Sequence, residues 1–191
     1  MTDPDQISTA TIQTFLGQRF NVFDPDPRKI HHKDIAHALS MLCRYGGHSS
    51  RFYSVAEHSV LMAIHFEALG RQDLARVALM HDATEAYMGD LVRPIKLAMP
   101  TYQAAETLLQ HRLFIKYGLD PLIPLEVKEA DVRICNDERD ELMHSMPWPG
   151  VDELGPLGVD LQFWNPQQAE RSWLNAFFRY GFWSDNTGIL G

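Results

Sequence analysis

Cysteine is scarce in this 191-residue chain: only Cys43 and Cys135 are present, and they form neither a zinc-type pair nor a disulfide framework. Free thiols point to a reducing compartment, so the expectation is a cytoplasmic protein. No apolar run approaches the length of a membrane span, and Met1-Thr-Asp-Pro-Asp-Gln lacks the basic and apolar regions of a secretory leader. Basic residues are in deficit, 17 against 25 acidic, for a net charge of −8. That balance argues against polymeric nucleic acid and anionic membranes as partners. A small phosphorylated ligand is not excluded, because a pocket's local charge can oppose the global one. Repeats and low-complexity tracts are absent too. What remains is ordinary globular composition, 45% hydrophobic and 22% charged, in a length suited to one domain with a real core.

The periodicity is helical almost throughout, and the fold class it predicts is all-α, a bundle of about six helices. Asp34 is placed to cap a segment carrying Ile35, Ala38, Leu39 and Leu42. Ser54-Val-Ala-Glu57 reads as a capping box opening a second helix. Asp73 caps a third, running through about Met88. Tyr102, Ala105, Leu109 and Leu113 mark a fourth, closed by Gly118. A fifth begins near Pro124, taken as a first-turn residue, and stops before Pro147. Asn165-Pro166 opens a sixth, with Ala169, Trp173, Ala176, Phe177 and Tyr180 inward and Gly181 at its end. Between Pro147 and Asn165, three Gly and three Pro, counting Pro147, indicate a loop. Residues 11–31 read as a short strand or turn module ahead of the bundle.

Polar residues interrupt three of the apolar stripes. The second helix presents His58, Leu61, Met62, His65 and Leu69. The third presents Leu74, Val77 and Ala78, then His81, with Asp82 beside it and Glu85 one turn on. The fifth presents Val127, Asp131, Ile134, Glu138 and Leu142. One histidine on an apolar face is usually a hydrogen-bonded core residue, and a buried ionised aspartate costs several kcal/mol unless paired. Three helices each bringing such a group inward are most simply explained by one central cation, the other reading being a buried His–Asp hydrogen-bond network. Two imidazoles and two carboxylates, His58, His81, Asp82 and Asp131, form a borderline-hard divalent site with positions left over, a catalytic rather than a closed structural composition.

The ordered set His58, His81-Asp82 and Asp131 over successive helices resembles the HD-domain metal-dependent phosphohydrolases. Closer at hand, Cys43-Arg-Tyr, Ser54-Val-Ala-Glu-His58, His81-Asp-Ala-Thr-Glu85 and Gly89-Asp-Leu-Val-Arg-Pro-Ile-Lys96 are similar to motifs of the YfbR-type 5′-deoxynucleotidases. Asp34-Ile-Ala-His-Ala-Leu-Ser and Gly-Gly-His48 resemble the phage- and prophage-associated branch of that group. The resemblance covers residues 34–146. It implies a single domain over 1–191, with 1–33 as an N-terminal extension, 34–146 as the catalytic core, and 147–191 as a loop and C-terminal helix.

Carried over residue by residue, the resemblance implies that His58, His81, Asp82 and Asp131 bind one divalent ion, whether Co, Mn, Zn, Ni, Fe or Mg. A second iron is not expected, since only His111 of the two further histidines it needs falls between Asp82 and Asp131. Glu85 is implied as the carboxylate that takes the proton from an attacking water, its other reading being an orienting partner of His81 or Asp82. Arg44 matches the family's phosphate-binding arginine. Tyr45 stands where the family has a tryptophan near the sugar, Asp90 matches its sugar-hydroxyl acceptor, and Arg93 adds positive charge where the family has a small polar residue. Lys96 is a substrate candidate, and His48 is a candidate to protonate a leaving oxygen. The expected function is hydrolysis of a (deoxy)nucleoside 5′-monophosphate to nucleoside and phosphate. The alternatives are a deoxynucleoside triphosphate triphosphohydrolase and a nucleotide-binding protein without turnover. The resemblance also implies a homodimer, for which Trp173, Phe177 and Tyr180 offer aromatic surface.

Overall fold

A computed structural model describes residues 11–182. The central element is α2 (Val55–Ala68), whose residues 55–63 are all buried. It therefore carries no single apolar stripe; a helix covered on every side is a bundle's middle. Around it pack α1 (His32–Met41), α3 (Gln72–Met80), α7 (Leu125–Leu142) and α8 (Pro166–Arg179). Two short helices, α4 (Glu85–Met88) and α5 (Arg93–Leu97), lead into α6 (Pro100–Lys116), against which α5 lies. The N-terminal module is a two-stranded antiparallel hairpin, β1 (Thr11–Gln13) and β2 (Arg19–Asn21), which sets Ile12 opposite Phe20. Phe20 is buried and stacks on Tyr87, so the hairpin closes one end of the core. The fold is an all-α bundle with this small addition. No helix among the described residues is long and apolar enough to cross a membrane.

Helix ends follow local chemistry, and four differ from expectation. The α1 cap is His31, whose Nδ1 accepts from the Lys33 N–H; Asp34 is instead buried in the first turn and accepts from the Leu16 N–H. Arg71, not Asp73, occupies the cap position of α3, and the two form an exposed ion pair. Ser54 does cap α2 by accepting from the Glu57 N–H, but the Glu57 side chain does not return the bond. Its two oxygens accept from the backbone N–H groups of Gln162, Phe163 and Trp164. A long-range anchor has displaced the local one. Pro124 lies at the cap of α7 rather than inside it, whereas Asn165 opens α8 with a full capping box and Gly118 follows α6 at φ 67°.

The third predicted helix does not run unbroken to Met88. After Met80 the next bonds shorten to three-residue steps, Ala83 N–H to Met80 O and Glu85 N–H to Asp82 O, before α4 begins. The loop ahead of α8 is pinned by side chains. Asp137 accepts from the N–H groups of Leu157, Gly158 and Val159, and Asn136 donates to the carbonyls of Val151 and Gly155. Trp173 and Phe177 are buried and stacked on each other, and Tyr180 is buried with its hydroxyl donating to Glu67. These aromatics belong to the core and offer no surface to a second copy.

Candidate metal centre

Four side chains from three places in the chain meet at one point. Asp131 comes from α7 and His58 from α2, and His81 and Asp82 come from the tight turn after α3. One ligand atom from each lies within 4.8 Å of the others. His58 Nε2 is 3.3 Å from His81 Nε2, 3.2 Å from Asp131 Oδ1 and 3.7 Å from Asp82 Oδ2. His81 Nε2 is 3.1 Å from Asp82 Oδ2 and 3.7 Å from Asp131 Oδ1. With bonds of about 2.1 Å, a tetrahedral shell has edges of roughly 3.4 Å, and neighbouring octahedral ligands sit about 3.0 Å apart. The cluster has the spacing of a coordination shell.

The other ring nitrogens decide the chemistry of this meeting point. His58 Nδ1 is 2.6 Å from Glu138 Oε1, and His81 Nδ1 is 2.7 Å from the Ala78 carbonyl. Both partners are acceptors, so both Nδ1 atoms carry the proton and donate it. In the neutral imidazoles the two Nε2 lone pairs then point at each other and at two carboxylate oxygens. Four acceptors converging with no donor among them repel one another unless a cation joins them or protons are taken up. Burial pushes both imidazoles towards the neutral form, joined at His58 by Arg44. The neighbouring carboxylates outweigh this, Glu138 and Asp131 at His58, Asp82 and Asp131 at His81, and raise both pKa values. Residues of this type, at this spacing, with these tautomers fixed from behind, fit a divalent metal ion.

Behind His58 lies a fully buried carboxylate, Glu138. It takes the His58 N–H on one oxygen, and on the other the Arg44 guanidinium at 3.2 Å and the Tyr45 hydroxyl. Burial would raise its pKa, but Arg44 and His58 hold it below the ordinary carboxylate value. Arg44 is itself buried and reaches Asp82 Oδ2 at 3.6 Å, so one guanidinium spans the supporting carboxylate and a cluster carboxylate. Tyr45 adopts a left-handed φ of 58°, and its ring lies edge-on to Trp148. Its hydroxyl is thus engaged in this supporting layer.

Glu85 is buried, and one of its oxygens has no hydrogen-bond partner. Burial, reinforced by Asp82 and Asp90, pushes its pKa well up. Asp90 is half-buried, its pKa likewise raised by burial against the pull of Arg44. Lys96 lines a cavity of about 160 Å³ together with His81, Asp82 and Asp131, and its ammonium is tied to Glu106 at 2.7 Å. His48 and Arg93 are exposed and lie outside the four-residue cluster. Glu138 is the member that sequence reasoning gave no role, although its signal was present. It lies seven residues after Asp131, two turns along the same buried stripe, where an unpaired carboxylate has no reason to be.

The fold and site define a helical protein with a buried two-histidine, two-aspartate cluster able to hold a metal ion. The chain belongs to the family of the uncharacterized protein YfdR of Escherichia coli K12, with which it is 42% identical over 131 residues, 69% of this chain and 71% of that one. It is also similar to the uncharacterized protein RCAP_rcc00048 of Rhodobacter capsulatus, 35% identical over 122 residues, 60% of this chain and 61% of its relative. No protein-family model matches the sequence.

Proposed function

We propose that this protein is a metal-dependent phosphohydrolase of the HD-domain type, acting on (deoxy)nucleoside 5′-monophosphates. The observation that carries the reading is the convergence of two Nε2 lone pairs with two carboxylates, both tautomers being fixed by acceptors behind them. A divalent ion held there supplies Lewis acidity towards a phosphoryl oxygen and eases ionisation of water. His58 and His81 are buried, whereas Asp82 and Asp131 are partly exposed, so the centre meets its substrate on the carboxylate side. Glu85 is an ionisable group outside the ligand set, and the burial that raises its pKa makes it a stronger acceptor for the proton of an attacking water. Arg44, anchored by Glu138, directs positive charge at the same face and supports an entering phosphate.

The resemblance in sequence supplies the substrate class, and the size of the cavity supports a monoester over a triphosphate chain. The test has two parts. Elemental analysis of purified protein should find about one divalent ion per chain, lost in Asp131→Ala. The metal-loaded protein should release orthophosphate from dAMP. Tripolyphosphate released from dATP, with dAMP untouched, would replace the monoesterase reading, and a protein without bound metal would end both.

A further inference from the structure

The exposed side of the cluster opens into the cavity of about 160 Å³ that α7 shares with α5 and α6. Two lysines line it. Lys96 is neutralised by Glu106, whereas Lys128 has no carboxylate within ion-pair distance among the described residues. Lys128 precedes Asp131 by three positions on α7, so the two side chains share a helix face one turn apart. It also lies about one turn from the start of α7, where the positive end of the helix dipole disfavours a lysine. The helix dipole therefore gives no reason for a cation here, and the acidic neighbour one turn on is the cluster residue Asp131. The lining contains three carboxylates, Asp82, Glu106 and Asp131. With Lys128, the lysines and a divalent ion outweigh them by one charge; without it they balance.

We propose that Lys128 is a phosphate-binding residue of this site, gripping a phosphoryl group that enters the cavity with one oxygen towards the His/Asp cluster. The assignment rests on the metal reading above and adds to it a residue that recognises the phosphate. A cavity this small is below the roughly 300–1,000 Å³ that encloses a whole drug-sized ligand. It takes the phosphate end of a monoester, whose organic part passes the half-buried Ile123 and out of the mouth. Binding is then dominated by the phosphate, and discrimination among bases is weak.

The probe is inorganic phosphate, titrated calorimetrically into Mn²⁺-loaded protein, with metal content checked on each sample. Lys128→Ala should bind phosphate roughly ten- to a hundredfold more weakly, the loss of one hydrogen bond to a charged group, at unchanged metal content. Lys128→Arg should restore most of the affinity. With a phosphomonoester, Lys128→Ala should raise KM more than it lowers kcat. Equal phosphate affinity in Lys128→Ala and wild type overturns the proposal. Wild-type protein that takes up no metal yet binds phosphate through Lys128 supports this assignment and removes the metal reading instead. Protein that binds neither overturns both.

Discussion

Replacing Glu138 by glutamine removes one negative charge from a place where three donors meet, while keeping the side chain's shape. The carboxylate is fully buried and holds the Arg44 guanidinium at 3.2 Å and the His58 N–H at 2.6 Å. Breaking a buried ion pair by removing one partner costs about 3–5 kcal/mol, because the remaining charge is left uncompensated. Glutamine's amide oxygen still accepts one bond and Asp82 stands 3.6 Å from Arg44, so the expected loss is nearer ~2–3 kcal/mol. That is a large share of a typical stability of about 5–15 kcal/mol, measurable by urea unfolding of the chelator-treated protein. Pairing Glu138→Gln with Arg44→Met removes the stranded charge, and the double variant should recover at least half of the loss. Metal affinity should not recover. With a neutral amide in place of the carboxylate, His58 loses the negative charge that raises its basicity, a change that typically weakens binding ~10–100-fold. Competition with a chromophoric chelator reads this directly. If Glu138→Gln binds metal as tightly as wild type and shows under ~0.5 kcal/mol of coupling to Arg44, the supporting role assigned to Glu138 is wrong.

Glu85→Gln should lower turnover by ~10²–10⁴-fold while leaving metal content and nucleotide affinity intact, since it removes a proton acceptor and no ligand; loss of metal in this variant would make Glu85 structural. His32 should govern part of the acid sensitivity of folding. Burial, aided by His31, Lys33 and Lys116, lowers its pKa to about 4 from the ordinary 6.5. Between those values the unfolded chain binds more protons, so stability falls as pH is lowered through that window. The part-exposed ring should contribute about 1–2 kcal/mol of loss from pH 7 to pH 5, and His32→Gln should flatten the profile by that amount; parallel curves would reject it.

Much of the bundle was legible because its signals are short-range. Asn165-Pro166 opens α8 and Gly118 closes α6, each through chemistry confined to a few neighbouring residues. Where a capping side chain found a better distant partner, local reading failed. Glu57 left Ser54 for three backbone N–H groups more than a hundred residues away, and Asp34 left its cap for the hairpin. The inward face of α8 was legible too, but not what it would meet. Periodicity showed that Trp173 and Phe177 point one way, but not that α1 and α2 would cover them.

The site was legible in outline because burying a charge is costly enough to make an inward Asp or Glu informative even without knowing what it meets. That reasoning found His58, His81, Asp82 and Asp131 on separate segments, and the chain brings all four together. It had less purchase on how neighbours in sequence share a ligand point. On an ideal helix His81 and Asp82 diverge by about 100°, yet His81 Nε2 and Asp82 Oδ2 lie 3.1 Å apart. The helix that should have carried both is broken between Met80 and Glu85, where its hydrogen bonds tighten to three-residue steps. A uniform helix across this stretch would satisfy the backbone better and serve the cluster worse. The interruption falls where two adjacent side chains converge on one point with His58 of α2 and Asp131 of α7, distant partners that no propensity scale takes into account.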